Sequence, residues 1–247
     1  MYTKIDNLQV YFQKVGRGGD LIMLHGWGQD VSTFWPSLDL LKDNFTLWLI
    51  DLPGFGRSDS PQKTYDTKDY AKVLAEFIKI NKIKNPNILG HSFGGKITIK
   101  FTALYPYLVN KIILVGASGI KPVPSLRRTL ILPLAKIIHF LIPDILNLKT
   151  IIRKKFYRKI ESDYENAGLM KETLLKTIRE DLTEDLKKIN NLALIIWGEE
   201  DRAVPIRYGI QMYRLIKNSK LVTLEGRGHF LHVHDPERFT YYVKDFI

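Results

Sequence analysis

The 247-residue chain contains no cysteine. Disulfides, thiolate metal sites and a cysteine nucleophile are thereby excluded. No apolar run reaches the roughly 18 residues that a membrane-spanning helix needs. Met1–Asp6 has no apolar segment of the signal-peptide kind, so no leader is expected, and the cytoplasm is the expected location. Internal repeats and low-complexity tracts are lacking too. Acids are nearly missing from one long stretch. Between Lys121 and Lys159, ten Lys or Arg stand against one acid, Asp144, so +9 of the net +11 falls there. The pI is about 9.6, yet no nucleic-acid motif accompanies the charge, and nucleic acid is not an expected partner. An anionic substrate, an acidic carrier protein or an anionic lipid surface suits such a stretch better.

What is present is apolar material for one large core: 45% of the residues are hydrophobic. At this length that indicates one domain with an insertion. Strand signals occur at Leu8–Val15, Asp20–Leu24, Phe45–Ile50, Asn87–Leu89, Lys111–Val115, Leu192–Trp197 and Leu221–Leu224. Helical patterns lie between them, at Phe34–Leu41, Asp66–Ile80, Phe93–Tyr105, Ile206–Ile216 and Pro236–Phe246. Asp66 or Thr67 is a plausible N-cap for the second of these. Continuously apolar strands alternating with helices predict a mostly parallel sheet covered on both faces. Ligands on such sheets gather beyond the carboxyl ends of the strands. Residues 119–186 break the alternation and read as a helical cap between core segments 1–118 and 187–247. The apolar runs of this cap, such as Leu130–Leu134, suit either a substrate tunnel or packing on the core.

The reactive residue types fall at strand ends. Gly90-His91-Ser92-Phe93-Gly94-Gly95 joins a strand to a helix, as a nucleophile elbow does. A serine hydroxyl is a weak nucleophile and needs a base, and the base needs an acid to orient it. An acid is available in Trp197–Pro205, where Glu199, Glu200 and Asp201 are all candidates. A base is available as His229 in Gly226–Phe230. His25 reads as a structural hydrogen-bonder, and His91 as either a pocket-tuning or a packing residue. His232 and His234 read as solvent-facing or helix-start residues, because no zinc motif spacing is present and no metal is expected. The glycine-rich turn after Asp51 lacks the strand–turn–helix context of a dinucleotide site.

Five stretches occur in order: Leu24-His25-Gly26-Trp27-Gly28, Asp51-Leu52-Pro53-Gly54-Phe55-Gly56-Arg57-Ser58, the elbow, the Gly198–Asp201 turn followed by Pro205, and Gly228-His229-Phe230. This series resembles the α/β-hydrolase family. The resemblance implies Ser92 as nucleophile, His229 as general base and acid, and Asp201 as the residue that orients His229. It implies the backbone N–H groups of Trp27 and Phe93 as an oxyanion hole, with no cofactor. The implied activity is hydrolysis of small to medium acyl esters. Carbon–carbon bond hydrolysis of dienoates, perhydrolysis, and a non-catalytic receptor role on the same fold are the alternatives. Leu24–Trp27 and Phe45–Ser58 look most like pimeloyl-acyl carrier protein methyl ester esterases. Those commonly carry Trp where this chain has His91.

Overall fold

The computed structural model describes residues 1–121 and 170–247. Most of the expected cap, with its apolar runs, and the basic stretch beyond Lys121 lie outside the described residues. Eight strands form one sheet: β1 (Tyr2–Ile5), β2 (Leu8–Gly16), β3 (Gly19–Leu24), β4 (Phe45–Ile50), β5 (Asn87–His91), β6 (Lys111–Val115), β7 (Leu192–Gly198) and β8 (Ser219–Leu224). Their order is β1-β2-β4-β3-β5-β6-β7-β8. The two N-terminal strands pair antiparallel, and all pairings from β4 to β8 are parallel.

The continuous apolar strands have the predicted two-sided burial. In β3, Ile22 and Leu24 join the core on one face, and Leu21 and Met23 the core on the other. This is the period-two alternation of a strand covered twice. On the Ile22 face lie α2 (Thr67–Ile80) and α3 (Phe93–Leu104), while α1 (Trp35–Leu41) packs on the other face. Of the two candidate caps of α2 the structure uses Asp66. Its carboxylate accepts from Asp69 N–H while Asp69 returns the bond, a reciprocal capping box. Tyr70, Ala71, Leu74, Phe77 and Ile78 bury one side of that helix.

After residue 169 the chain forms α4 (Lys171–Arg179) and α5 (Thr183–Lys188). Leu182 N–H donates to the Gly119 carbonyl at 2.8 Å, which ties the two flanks of the inserted segment together. Leu182 and Leu186 lie in the main core. The chain then completes the sheet with β7, α6 (Arg207–Leu215), β8, the short α7 (Leu231–His234) and α8 (Pro236–Phe246). Among the described residues no helix is long and apolar enough to cross a membrane.

Candidate active site

The turn from β5 into α3 places Ser92 at φ 51° and ψ −108°. A non-glycine residue there is strained by about 1–3 kcal/mol and is held by its surroundings. Close packing supplies the hold. A Cβ on Gly90 would collide with the Gly94 carbonyl, and a Cβ on Gly94 with the Leu24 carbonyl. Ser92 N–H donates to the Val115 carbonyl at 2.9 Å, and the Ser92 carbonyl accepts from Ser118 N–H at 3.0 Å. The side chain faces a cavity of about 470 Å³ whose wall includes Ser92, Phe93, Trp27, Lys96 and His229.

Asp201 lies in the turn after β7, and His229 in the loop between β8 and α7. His229 Nδ1 is 2.7 Å from Asp201 Oδ2. The other carboxylate oxygen accepts from Ala203 N–H and Val204 N–H, both at 2.8 Å. Asp201 is thus locked by its own turn on one oxygen and holds the histidine with the other. Its side chain is 1% exposed and that of His229 13%. Glu199 and Glu200, the other acids of this turn, are exposed, and Glu199 accepts from Thr223 instead. The structure therefore brings Ser92 and His229 to one cavity with Asp201 behind, and leaves both glutamates outside.

Trp27 and Phe93 pack edge to face with ring centroids 5.0 Å apart, and Phe55 meets both at 4.8 and 6.3 Å. This cluster fixes the Trp27 turn against the first residue of α3, whose N–H has no partner inside the helix. His25 anchors the same turn from behind. Its Nδ1–H donates to the Gly26 carbonyl (2.7 Å), and its Nε2 accepts from Leu52 N–H (3.0 Å). These two bonds require a single neutral tautomer, and complete burial lowers its pKa accordingly. Asp51 organises the next loop, accepting from Val31 N–H at 2.7 Å and Arg57 N–H at 2.8 Å.

His91, next to Ser92 in the chain, is buried. Its Nε2 is 3.0 Å from the His229 carbonyl, and its Nδ1 is 3.2 Å from Gln29 Oε1. The same Gln29 oxygen accepts from Gly26 N–H at 2.8 Å. One residue thus touches the histidine loop directly and the Trp27 turn through Gln29. Burial first, then the neighbouring His232 and His229, hold its pKa well below the ordinary value. A neutral ring carries one N–H, so it donates to one of the two oxygens at a time.

His232 lies at a helix start, in the first turn of α7, as one of its two sequence readings has it, and corrects the other. His232 does not face solvent; it is fully buried, against Phe34, Phe239 and His91. Nothing adjacent in sequence announces this, because the covering rings come from other elements. His234 is exposed. Two further residues of the site escaped the sequence reading. Gln29 carries no motif signal. Lys96 had one: a lysine one helical turn after Ser92, in a helix with an otherwise apolar start. It is 5% exposed and lines the cavity. Burial brings its pKa down to about 8.

The chain is 28% identical to the uncharacterized hydrolase YugF of Bacillus subtilis, covering 98% of this chain and 96% of that protein. It is also 28% identical to 2-hydroxy-6-oxononadienedioate/2-hydroxy-6-oxononatrienedioate hydrolase 1 of Pseudomonas putida, covering 98% and 92%. Among solved structures, an esterase from Exiguobacterium antarcticum superposes with a TM-score of 0.77 at 22% identity, covering 98% of this chain and 96% of the esterase. That likeness bears on the fold. Residues 21–240 match the Alpha/beta hydrolase family. With an eight-stranded, mostly parallel sheet and a strained serine at its rim, this chain belongs to the alpha/beta hydrolase family.

Proposed function

We propose that the protein is a serine hydrolase of carboxylic esters. The observation that carries the reading is the geometry at the sheet rim. A strained Ser92 shares a cavity with His229, and a buried, doubly anchored Asp201 holds His229 Nδ1 at 2.7 Å. In this mechanism Ser92 Oγ attacks the ester carbonyl carbon as His229 Nε2 takes its proton. Asp201 Oδ2 accepts the Nδ1–H bond throughout and stabilises the imidazolium. The backbone N–H groups of Trp27 and Phe93 receive the oxyanion. As the tetrahedral intermediate collapses, His229 protonates the departing alkoxide. Water, deprotonated by His229, then attacks the acyl-enzyme and frees the acid and Ser92.

The test is turnover of p-nitrophenyl esters of graded chain length together with fluorophosphonate labelling. Ser92→Ala is expected to lose both the turnover and the label. Labelling at another residue, or wild-type activity in the alanine variant, would refute the assignment. A second reading, hydrolysis of a carbon–carbon bond in a dienoate, is favoured by the 28% identity to the Pseudomonas putida hydrolase. It predicts that a dienoate is consumed faster than any simple ester. An acidic acyl carrier protein attracted to the basic stretch 121–159 belongs to the ester proposal. Binding that persists unchanged in high salt, or is absent in low salt, would remove it.

A further inference from the structure

Resting on the ester-hydrolase reading, we infer that Lys96 forms a subsite for a second carboxylate on the acyl part of the substrate. The cavity would then prefer half-esters of dicarboxylic acids over neutral esters of the same length.

Lys96 N–H donates to the Ser92 carbonyl at 3.1 Å, so the two residues are one helical turn apart on one face. Their Cα atoms are about 6 Å apart along the axis. Helical side chains lean toward the N-terminus of their helix, here toward Ser92. Lys96 Nζ donates to the carbonyls of Thr177, at 2.5 Å, and Glu180, at 2.9 Å. An ammonium has three donors. Both partners are neutral carbonyls at the end of α4.

The nearby acids are engaged elsewhere. The Glu180 carboxylate accepts from Thr67 N–H and Oγ1. Asp181 accepts from Thr183, and Asp185 pairs with Lys100 at 2.6 Å. Glu180 and Asp181 therefore act on Lys96 through space, with Lys100 opposing them. Among the described residues, no carboxylate is within ion-pair distance of Lys96, and no Asp or Glu lines the cavity.

Among the described residues this buried charge meets only the partial negative charge of the α4 carbonyls and no carboxylate, and its attraction for an anion is strong where water is scarce. The rest of the wall suits a methylene chain, with Ile120, Leu174, Ile178 and Val204. A chain acylating Ser92 and ending in a carboxylate near Lys96 satisfies both features. The lowered pKa, about 8, leaves Lys96 charged in neutral solution.

The experiment measures methanol release from monomethyl esters of dicarboxylic acids, succinic to suberic, beside methyl esters of monocarboxylic acids of matching length. The wild type is expected to favour the charged ester of the best length by about tenfold or more in kcat/KM, mainly through KM, the order a charge-assisted hydrogen bond supplies. The preference should fade as pH rises through about 8, where Lys96 loses its proton. Lys96→Met should bring the charged-to-neutral ratio to about one, and Lys96→Arg should keep part of it. A lysine that only ties α4 to the core would lower both rates together and leave the ratio untouched. A wild-type ratio of one or less, or a ratio kept in Lys96→Met, would overturn the inference. Should Lys96→Met not fold, a wild-type ratio constant from about pH 6.5 to 9.5 overturns it alone. Turnover of neither ester class defeats the ester reading instead. The subsite is then read by adipate raising the wild-type Tm but not that of Lys96→Met, and no rise in the wild type refutes it.

Discussion

The burial of His232 predicts an acid lability that can be isolated. The ring is fully buried, 4.3 Å from His91 and 5.4 Å from Phe34 by centroid. Its Nε2 is 3.1 Å from Thr33 Oγ1, and its buried Nδ1 has no hydrogen-bond partner among the described residues. Burial, reinforced by His229 and His234, pushes its pKa from 6.5 to about 3. The folded value is the lower one, so the unfolded chain binds the extra proton. Stability is intact above about pH 6.5 and is lost as pH falls toward 3. For this residue the loss is about 2 kcal/mol at pH 5 and about 4 kcal/mol near pH 3. The perturbation is His232→Leu, which keeps a similar volume and removes the titrating group. Urea unfolding of both proteins between about pH 7.5 and 5 supplies the difference curve. His25, also kept neutral by burial, titrates in both proteins and largely cancels; His91 loses in the variant one of the neighbours that lower its pKa, a change of the same sign. The wild type should lose about 2 kcal/mol more than the variant across this range. A flat difference, or one that grows as pH rises, would refute the reasoning.

Three other outcomes are expected. Asp201→Asn should cut kcat on esters by up to about 10⁴-fold with little change in KM, because the amide favours the wrong tautomer of His229; ester kinetics beside an unchanged Tm would check it. His91→Leu removes the bond to the His229 carbonyl, and displacement of that loop should lower kcat about 10- to 100-fold. Equal kcat in the two proteins would show that His91 only packs. Gly94→Ala places a methyl against the Leu24 and His25 carbonyls. Thermal unfolding should show a loss of about 1–3 kcal/mol.

Legibility in the sequence followed how local each cause was. The last helix, Pro236–Phe246, was readable to the residue, because Pro236 follows an Asp235 that caps it through Arg238 N–H. The inner parallel strands were readable because both their faces are apolar, whereas β8, at the edge, buries only Val222 and Leu224. β1 was not: only Thr3 and Ile5 of its four residues are buried, too short an alternation to stand out. The strain at Ser92 was implied by its flanking glycines, and the order of the motifs brought Asp201 and His229 into consideration. The burial of Lys96 was hidden, since its partners are 81 and 84 residues away. His232 was hidden likewise, its contact with Thr33 spanning 199 residues. Contacts of that range follow from the assembled sheet, not from any local pattern.

The three side chains at the rim hang from three different strands. Ser92 follows β5, Asp201 follows β7, and His229 follows β8, near the end of the chain. His91 and the His229 carbonyl it touches are 138 residues apart. On the proposed mechanism, a nascent or refolding chain holds an unactivated serine until β8 docks beside β7. Because such long-range pairings form slowly, recovery of fluorophosphonate labelling during refolding would act as a clock for completion of the sheet. It would lag behind any signal from the helix that starts at Phe93.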